Sequence, residues 1–365
     1  MAPTTGQVAS SPSGPRTDIA VVGWAQSPMI RRTDLSETQL LLRVITDALE
    51  PLGLTRADID FTCLGSCDYI TGQAFSFVSN LDAIGAWPPK RDSHVEMDGA
   101  WALYEAWLRL QEGDIEIAVV TGSGRSSTGD PSLIYPMEMD PFYLAPLGVD
   151  PLTFAALQAR ALIGAGVADE RAMAEVAVRS RRAAMANPNA QVTGNFDVDE
   201  LLADDYVREP LRRHDLPPIT DGAAAMVLAT GARARELRDR PAFITGFDHR
   251  TECHNPGYRD LTDSPSTRIA AAASGLSVGP VEMAELQAAF THEEILLRRV
   301  LELGDDVVVN GSGGALASNP IMATGLARVG YAADHIFGGG NRALAHSTSG
   351  PCLQQNLICI LEGTP

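Results

Sequence analysis

Short unbroken apolar runs alternate along this chain with longer stretches in which apolar residues recur at helical spacing. Ile19 to Trp24 (IAVVGW) is such a run, and Ser36 to Leu52 follows as an amphipathic helix opened by a Ser-x-x-Gln capping signal. Phe61 to Ser66 reads as the next strand. Val95 to Met97 leads into a helix from about Asp98 to Gln111, and Ile115 to Gly122 (IEIAVVTG) has the continuous apolar character of a strand covered on both faces. This order predicts an α/β fold.

Residues 126–152 break the rhythm with many Pro, Gly and aromatic residues, and a loop of that length usually serves a site or an interface. Helices are expected from about Pro151 to Ile163 and from Asp169 to Asn187, followed by a small-residue strand at Thr220-Asp-Gly-Ala-Ala-Ala. A second α/β set begins near Ala242 (AFITGF). It continues with a helix before Gly275, a strand at Val281 to Gln287, a helix from about His292 to Leu303 and a strand at Leu357 to Leu361. The pattern divides the chain into a flexible tail over 1–16, one half over 17–238 with an insertion at 126–152, and a similar half over 239–365.

Composition narrows the options. The 365 residues are 45% hydrophobic and 20% charged, enough for a large core. A formal net charge of −18 disfavours nucleic acid and anionic membrane as partners, since phosphate binding needs a basic stripe. No apolar run reaches the ~18 residues of a membrane span. Met1 to Pro15 lacks both a charged n-region and an apolar h-region, so a cytoplasmic location is expected. Five cysteines in so long a chain do not make a disulfide framework. Cys63 and Cys67 read as buried thiols rather than half of a metal site, and no metal is expected.

Several segments together carry a family signal. They are Val21-Val-Gly-Trp-Ala-Gln-Ser-Pro, AMANPNA over Ala184 to Ala190, Glu209-Pro-Leu-Arg ahead of Thr220-Asp-Gly, Asn310-Gly-Ser-Gly-Gly-Ala-Leu-Ala-Ser-Asn-Pro and Ala343-Leu-Ala-His. In this order, over about Asp18 to Gly363, the chain resembles the thiolase superfamily, in the branch of the sterol carrier protein X thiolase domain and the bacterial lipid-transfer proteins. The resemblance implies a thiolase-like fold of two βαβαβαββ halves packed in five layers, α-β-α-β-α. It implies an acyl-CoA substrate, with coenzyme A part of that substrate and no tightly bound cofactor. It also implies a homodimer or a thiolase-like heterodimer, paired through a strand at His94 to Met97, and an OB-fold zinc-ribbon partner that would carry any zinc.

The residues at the family's catalytic positions depart from its pattern. Gly99, in His94-Val-Glu-Met-Asp-Gly-Ala, stands where thiolases carry the nucleophilic cysteine, and glycine has no side chain to acylate. Gln287 stands where relatives place His or Tyr; an amide orients a carbonyl but exchanges no proton near neutral pH. Asn319 replaces the histidine of a Gly-His-Pro segment, either as a donor to an oxyanion or as a helix N-cap before Pro320. His346 resembles a pocket histidine of the sterol carrier protein X type and is the best titratable candidate, with a structural histidine as the alternative. Cys352 is a candidate reactive thiol, and His292 either reaches the pocket or starts a helix.

Three functions follow. The first is retro-aldol cleavage of a β-hydroxyacyl-CoA, steroid-like or otherwise bulky, to a ketone and a short acyl-CoA. It would use Asn319 and backbone N–H groups beside Gly99 and Gly350 for the thioester oxygen. Its base is open among His346, His292, Glu285, Tyr135 and Tyr143, because the tyrosines of the aldolase members have no counterpart at the matching positions. The second is a subunit with little catalysis of its own, paired with a thiolase-like or OB-fold chain. The third is a thiolase or acyltransferase that uses Cys352.

Overall fold

Ten strands, most of them buried on both faces and rich in Ala, Val, Ile and Leu, form one sheet among the described residues, which in this computed structural model are 18–72 and 74–365. The tail expected over 1–16 lies outside them. The N-terminal half contributes β1 (Ile19–Gln26), β2 (Phe61–Gly65), β3 (Arg91–Val95), β4 (Ile117–Arg125) and β5 (Asp221–Thr230). The C-terminal half contributes β6 (Ala242–Thr251), β7 (Met283–Leu286), β8 (Val308–Val309), β9 (Arg342–Ser349) and β10 (Gln355–Glu362).

Their order in space is β8-β7-β9-β10-β6-β1-β5-β4-β2-β3. Counted within each half, both runs read third, second, fourth, fifth, first. The pairing senses repeat as well: β2 is parallel to β3 and β4, and β7 is parallel to β8 and β9. The remaining neighbours within each half are antiparallel. Between the halves only two residue pairs join β1 to β6, Ala20 with Phe243 and Val21 with Ala242.

Side chains stack these strands into layers. Helix α1 (Glu37–Leu49), opened by the expected Ser36/Gln39 capping box, packs Leu41, Val44 and Ile45 on one face of the N-terminal strands with Ala20, Val22 and Val119. Helices α2 (Gly99–Leu110) and α4 (Thr324–Phe337) share the central core with the inner strand faces, through Leu103, Leu110, Leu326, Val329 and Ile336. Between them in the chain, α3 (Thr291–Val300) covers the outer face of the C-terminal strands through Leu296 and Leu297. The sequence of layers is α-β-α-β-α, as expected. Small residues let the central helices pack closely on their neighbours; a Cβ on Gly330 would stand 2.3 Å from the Trp24 ring.

Three local readings change. Strand β3 spans Arg91–Val95 rather than His94 to Met97, because Asp98 already caps α2. The 126–152 insertion is not structureless: Asp130 caps a short helix, Pro131–Met137, and a 3₁₀ turn covers Ala145–Leu147. Helix α4 starts at Thr324 with Ala323 as its N-cap, so Asn319 and Pro320 precede the helix and Asn319 is not a cap. No helix among the described residues is long and apolar enough to cross a membrane.

Candidate active site

A cavity of about 890 Å³ opens where the loops after β2, β3, β7 and β9 meet the 126–152 insertion and the turn before α4. That volume suits a drug-sized or lipid-sized ligand. Gln287, Asn319, Cys352 and Gly350 border it, as does Tyr135. Gly99, Glu285, His292, His346 and Tyr143 do not.

Asp98, not Gly99, faces the cavity from the start of α2. Its Oδ1 accepts the Ala100 amide at 2.9 Å and the Leu326 amide at 3.0 Å, and its Oδ2 accepts the Gly325 amide at 3.0 Å. One carboxylate thus satisfies orphan N–H groups at the positive ends of two buried helices. Burial still pushes its pKa above the usual carboxylate value. The Gly99 amide donates to the Met322 carbonyl at 2.9 Å, so the N–H groups expected to serve an oxyanion beside Gly99 are already committed. A Cβ on Gly99 would point at Leu326, 3.0 Å from its Cδ2 and 3.1 Å from its Cβ.

Two carboxamides also line the cavity. Strand β7 ends at Leu286, which places Gln287 on the following turn, where its Oε1 accepts the Thr348 amide at 3.2 Å. Asn319 Oδ1 accepts the Thr324 hydroxyl at 3.0 Å. With both oxygens bonded inside the protein, the NH₂ group of each amide is what remains for a ligand oxygen. Gly325 makes this crowding possible: a Cβ there would lie 2.6 Å from Asp98 Oδ1, 2.9 Å from Gln287 Oε1 and 2.1 Å from Ser347 Oγ.

The cavity is acidic. Glu96, Asp98, Asp130, Glu138, Asp150 and Glu293 border it, and no Lys or Arg does among the described residues. Glu138 accepts the Cys67 thiol at 3.1 Å, and burial with the nearby Glu96 raises its pKa. Burial and the Glu138 charge push the Tyr135 hydroxyl well above its ordinary value. Glu293 belongs to the first turn of α3, where its Oε2 accepts the amides of Ala289 at 2.8 Å and Phe290 at 3.1 Å; burial moves its pKa up to about 7. The two thiols at the cavity, Cys67 and Cys352, are both pushed up to about 12 by burial, so both are protonated at neutral pH.

Each histidine takes the structural of its two readings. His346 lies fully buried within β9 rather than in a loop facing the pocket, where its Nε2 meets Asn356 Oδ1 at 2.9 Å; burial lowers its pKa to about 4. His292 is buried in α3 with no hydrogen bond to either ring nitrogen among the described residues, and burial lowers its pKa to about 3. Both are neutral at physiological pH and away from the cavity, so neither is positioned as its base. Glu285 is sealed in an ion pair with Arg328 at 2.7 Å, and Tyr143 is 75% exposed. Of the base candidates, Tyr135 alone borders the cavity.

Asp98, Glu138 and Glu293 were missed from the sequence. Asp98 had a signal, an Asp immediately before the Gly99 helix start. Glu293 reads as an ordinary acidic residue of a helix's first turn, since its burial depends on the fold around it.

The geometry can be set beside known proteins. No family profile matches the chain. The acetyl-CoA acetyltransferase of Methanothermobacter thermautotrophicus is 26% identical over 341 residues, 85% of this chain and 88% of that protein. The 17-hydroxy-3-oxo-4-pregnene-20-carboxyl-CoA lyase of Mycobacterium tuberculosis is 26% identical over 245 residues, and the match spans 61% of its length. Among solved structures, human mitochondrial 3-ketoacyl-CoA thiolase superposes with a TM-score of 0.77 at 15% identity, over 96% of this chain and 99% of that one. The fold is that of the thiolases. An Ltp2-ChsH2(DUF35) aldolase shares it, with a TM-score of 0.79 at 21% identity over 95% of this chain and 98% of that one. The similarity is thus to acyl-CoA thiolases and lyases, while the cavity of this chain holds Cys67 and Cys352 in protonated form.

Proposed function

We propose that the protein is a lyase that cleaves a β-hydroxyacyl-CoA by a retro-aldol reaction, releasing a ketone and a shorter acyl-CoA. One observation carries this reading: the cavity combines two protonated thiols with two carboxamides whose NH₂ groups are available and with carboxyl groups of raised pKa. Retro-aldol cleavage needs a base for the β-hydroxyl and hydrogen-bond donors for the thioester oxygen, but no covalent nucleophile. Gln287 and Asn319 supply the donors. The lyase and aldolase among the relatives support the same chemistry, and the cavity volume accommodates a polycyclic side chain. A Cys352-dependent acyltransferase would need a thiolate that burial disfavours.

A partner is part of this reading. Phe142 and Tyr143 in the insertion are 80% and 75% exposed, and the relatives include a benzoylsuccinyl-CoA thiolase subunit of Thauera aromatica, matched over 56% of its length, besides the Ltp2-ChsH2(DUF35) aldolase. We take the chain to work as a homodimer or thiolase-like heterodimer, with an OB-fold zinc-ribbon chain as a further partner.

The test offers 17-hydroxy-3-oxo-4-pregnene-20-carboxyl-CoA and 3-hydroxy-3-methylbutanoyl-CoA to the purified chain, alone and co-expressed with neighbouring gene products. The expected products are the 17-ketosteroid with propanoyl-CoA, and acetone with acetyl-CoA. Absence of ketone from both, in every preparation, removes the proposal.

A further inference from the structure

We infer that Glu293 is the general base of this site, taking the β-hydroxyl proton and returning it to the α-carbon; the inference rests on the retro-aldol reading. Glu293 borders the cavity six residues beyond Gln287, on the same turn into α3, yet is only 6% exposed. The amides of Ala289 and Phe290 hold its Oε2 and fix the plane of the carboxyl group. Its Oε1 makes no hydrogen bond among the described residues and is the atom left to meet a substrate hydroxyl. The other cavity carboxyls are differently placed. Asp98 spends both oxygens on three amides, Glu138 is bonded to the Cys67 thiol, Glu96 accepts the Asp68 amide, Asp130 caps its own short helix through Ser132, and Asp150 holds the Thr153 amide and pairs with Arg208.

The groups packed around Glu293 leave it without a cationic partner. Cys352, from the turn between β9 and β10, is a neutral thiol, and His292 on its own helix is neutral. The neighbouring Glu294 is paired with Arg179 and Asn310. Asp215 receives the Thr291 hydroxyl at 2.6 Å, and Arg259 donates from its two terminal nitrogens to the carbonyls of Pro351 and Cys352. A carboxyl in such surroundings titrates near neutrality, where a base is most effective.

The step balances without another reactant. The β-hydroxyl proton passes to Glu293, and the freed electron pair forms the second C–O bond of the ketone as the Cα–Cβ bond breaks. The pair from that bond moves into the thioester as an enolate, whose oxygen takes N–H bonds from Gln287 and Asn319. Glu293 then gives the proton to Cα, which completes the shorter acyl-CoA.

Glu293→Gln tests this, because the amide oxygen of Gln can still accept the two backbone N–H groups and preserve the helix start. The expected result is a loss of about 10²-fold or more in kcat with an unchanged melting temperature. Wild-type kcat/KM should rise with pH through a limb near 7, where the carboxylate forms; the residual activity of E293Q should lack that limb, and E293D should keep it at a lower rate. Activity of E293Q within threefold of wild type, or the same limb in E293Q, overturns the assignment and leaves the lyase reading standing. Carbon-13 NMR of Glu-labelled protein adds a readout without substrate: one carboxyl signal, absent from E293Q, should titrate near 7, and titration below 5 overturns the inference. A wild type that forms no ketone overturns the lyase reading and the assignment together, whatever the NMR titration gives.

Discussion

The carboxylate of Asp98 accepts the backbone amide of Gly325 at 3.0 Å, so a side chain from the first half of the chain closes the start of a helix in the second. Gly325 is the partner because any Cβ at that position would collide with Asp98, Gln287 and Ser347.

Asp98→Ala would leave the amides of Ala100, Gly325 and Leu326 buried without an acceptor. A loss of about 3 kcal/mol in unfolding free energy is expected, measured by urea denaturation. Asp98→Asn should lose less, since one oxygen remains. A D98A protein as stable as wild type would show that the two helix starts do not depend on this carboxylate.

Gly99→Cys should not create a thiolase. The new Cβ points into the contact between α2 and α4, against Leu326, rather than into the cavity. The expected cost is about 1–3 kcal/mol from overpacking, with no acetyl-CoA acyltransferase activity and no gain in iodoacetamide labelling. Stoichiometric acylation of the introduced cysteine would contradict the geometry.

Thiol reactivity should be uneven. Of the five cysteines, Cys253 is exposed and the others are buried, with Cys67 and Cys352 held near a pKa of 12. One fast-reacting thiol per folded chain is expected with Ellman's reagent at pH 7.5, rising to five on unfolding. Cys352→Ala should keep ketone release within threefold of wild type.

His292 and His346 make the fold sensitive to acid. Their folded pKa values, about 3 and about 4, lie below the unfolded value of 6.5. Below 6.5 the unfolded chain therefore binds more protons than the folded one. Stability that is fully present above 6.5 is lost as pH falls through the folded values, at up to about 1.4 kcal/mol per pH unit for each histidine. His292→Leu also removes two unsatisfied ring nitrogens from the core. Its urea midpoint should fall less than that of wild type between pH 7 and pH 4, and parallel curves would refute the account.

The apolar runs made much of the fold legible, because β1, β4, β5 and β10 are buried on both faces and sequence alone shows that. The duplicated order emerged only from pairing, which no local pattern encodes: β8 is two residues long, Val308–Val309, yet takes the third-strand place of its half. At the site, Gln287, Asn319 and Cys352 were named from their positions in family-like segments, and all three border the cavity. His346 and His292 stayed open between a pocket role and a structural one, because a titratable residue type in a family-like segment does not show its own burial. Burial is what keeps both neutral, and burial is set by the fold rather than by local sequence. Glu293 shows the reverse: a surface-like residue type that packing has carried inward.

The duplicated strand order also bears on how such a chain can be divided. The repeated strand order invites cutting at the 231–241 connection, but the two central helices share one core, and only two residue pairs of a single strand pair join the halves of the sheet. Helix α4 has alanine as its own cap and borrows Asp98 from across the seam. The two halves are therefore not interchangeable, and fragments made at that connection should assemble only with each other.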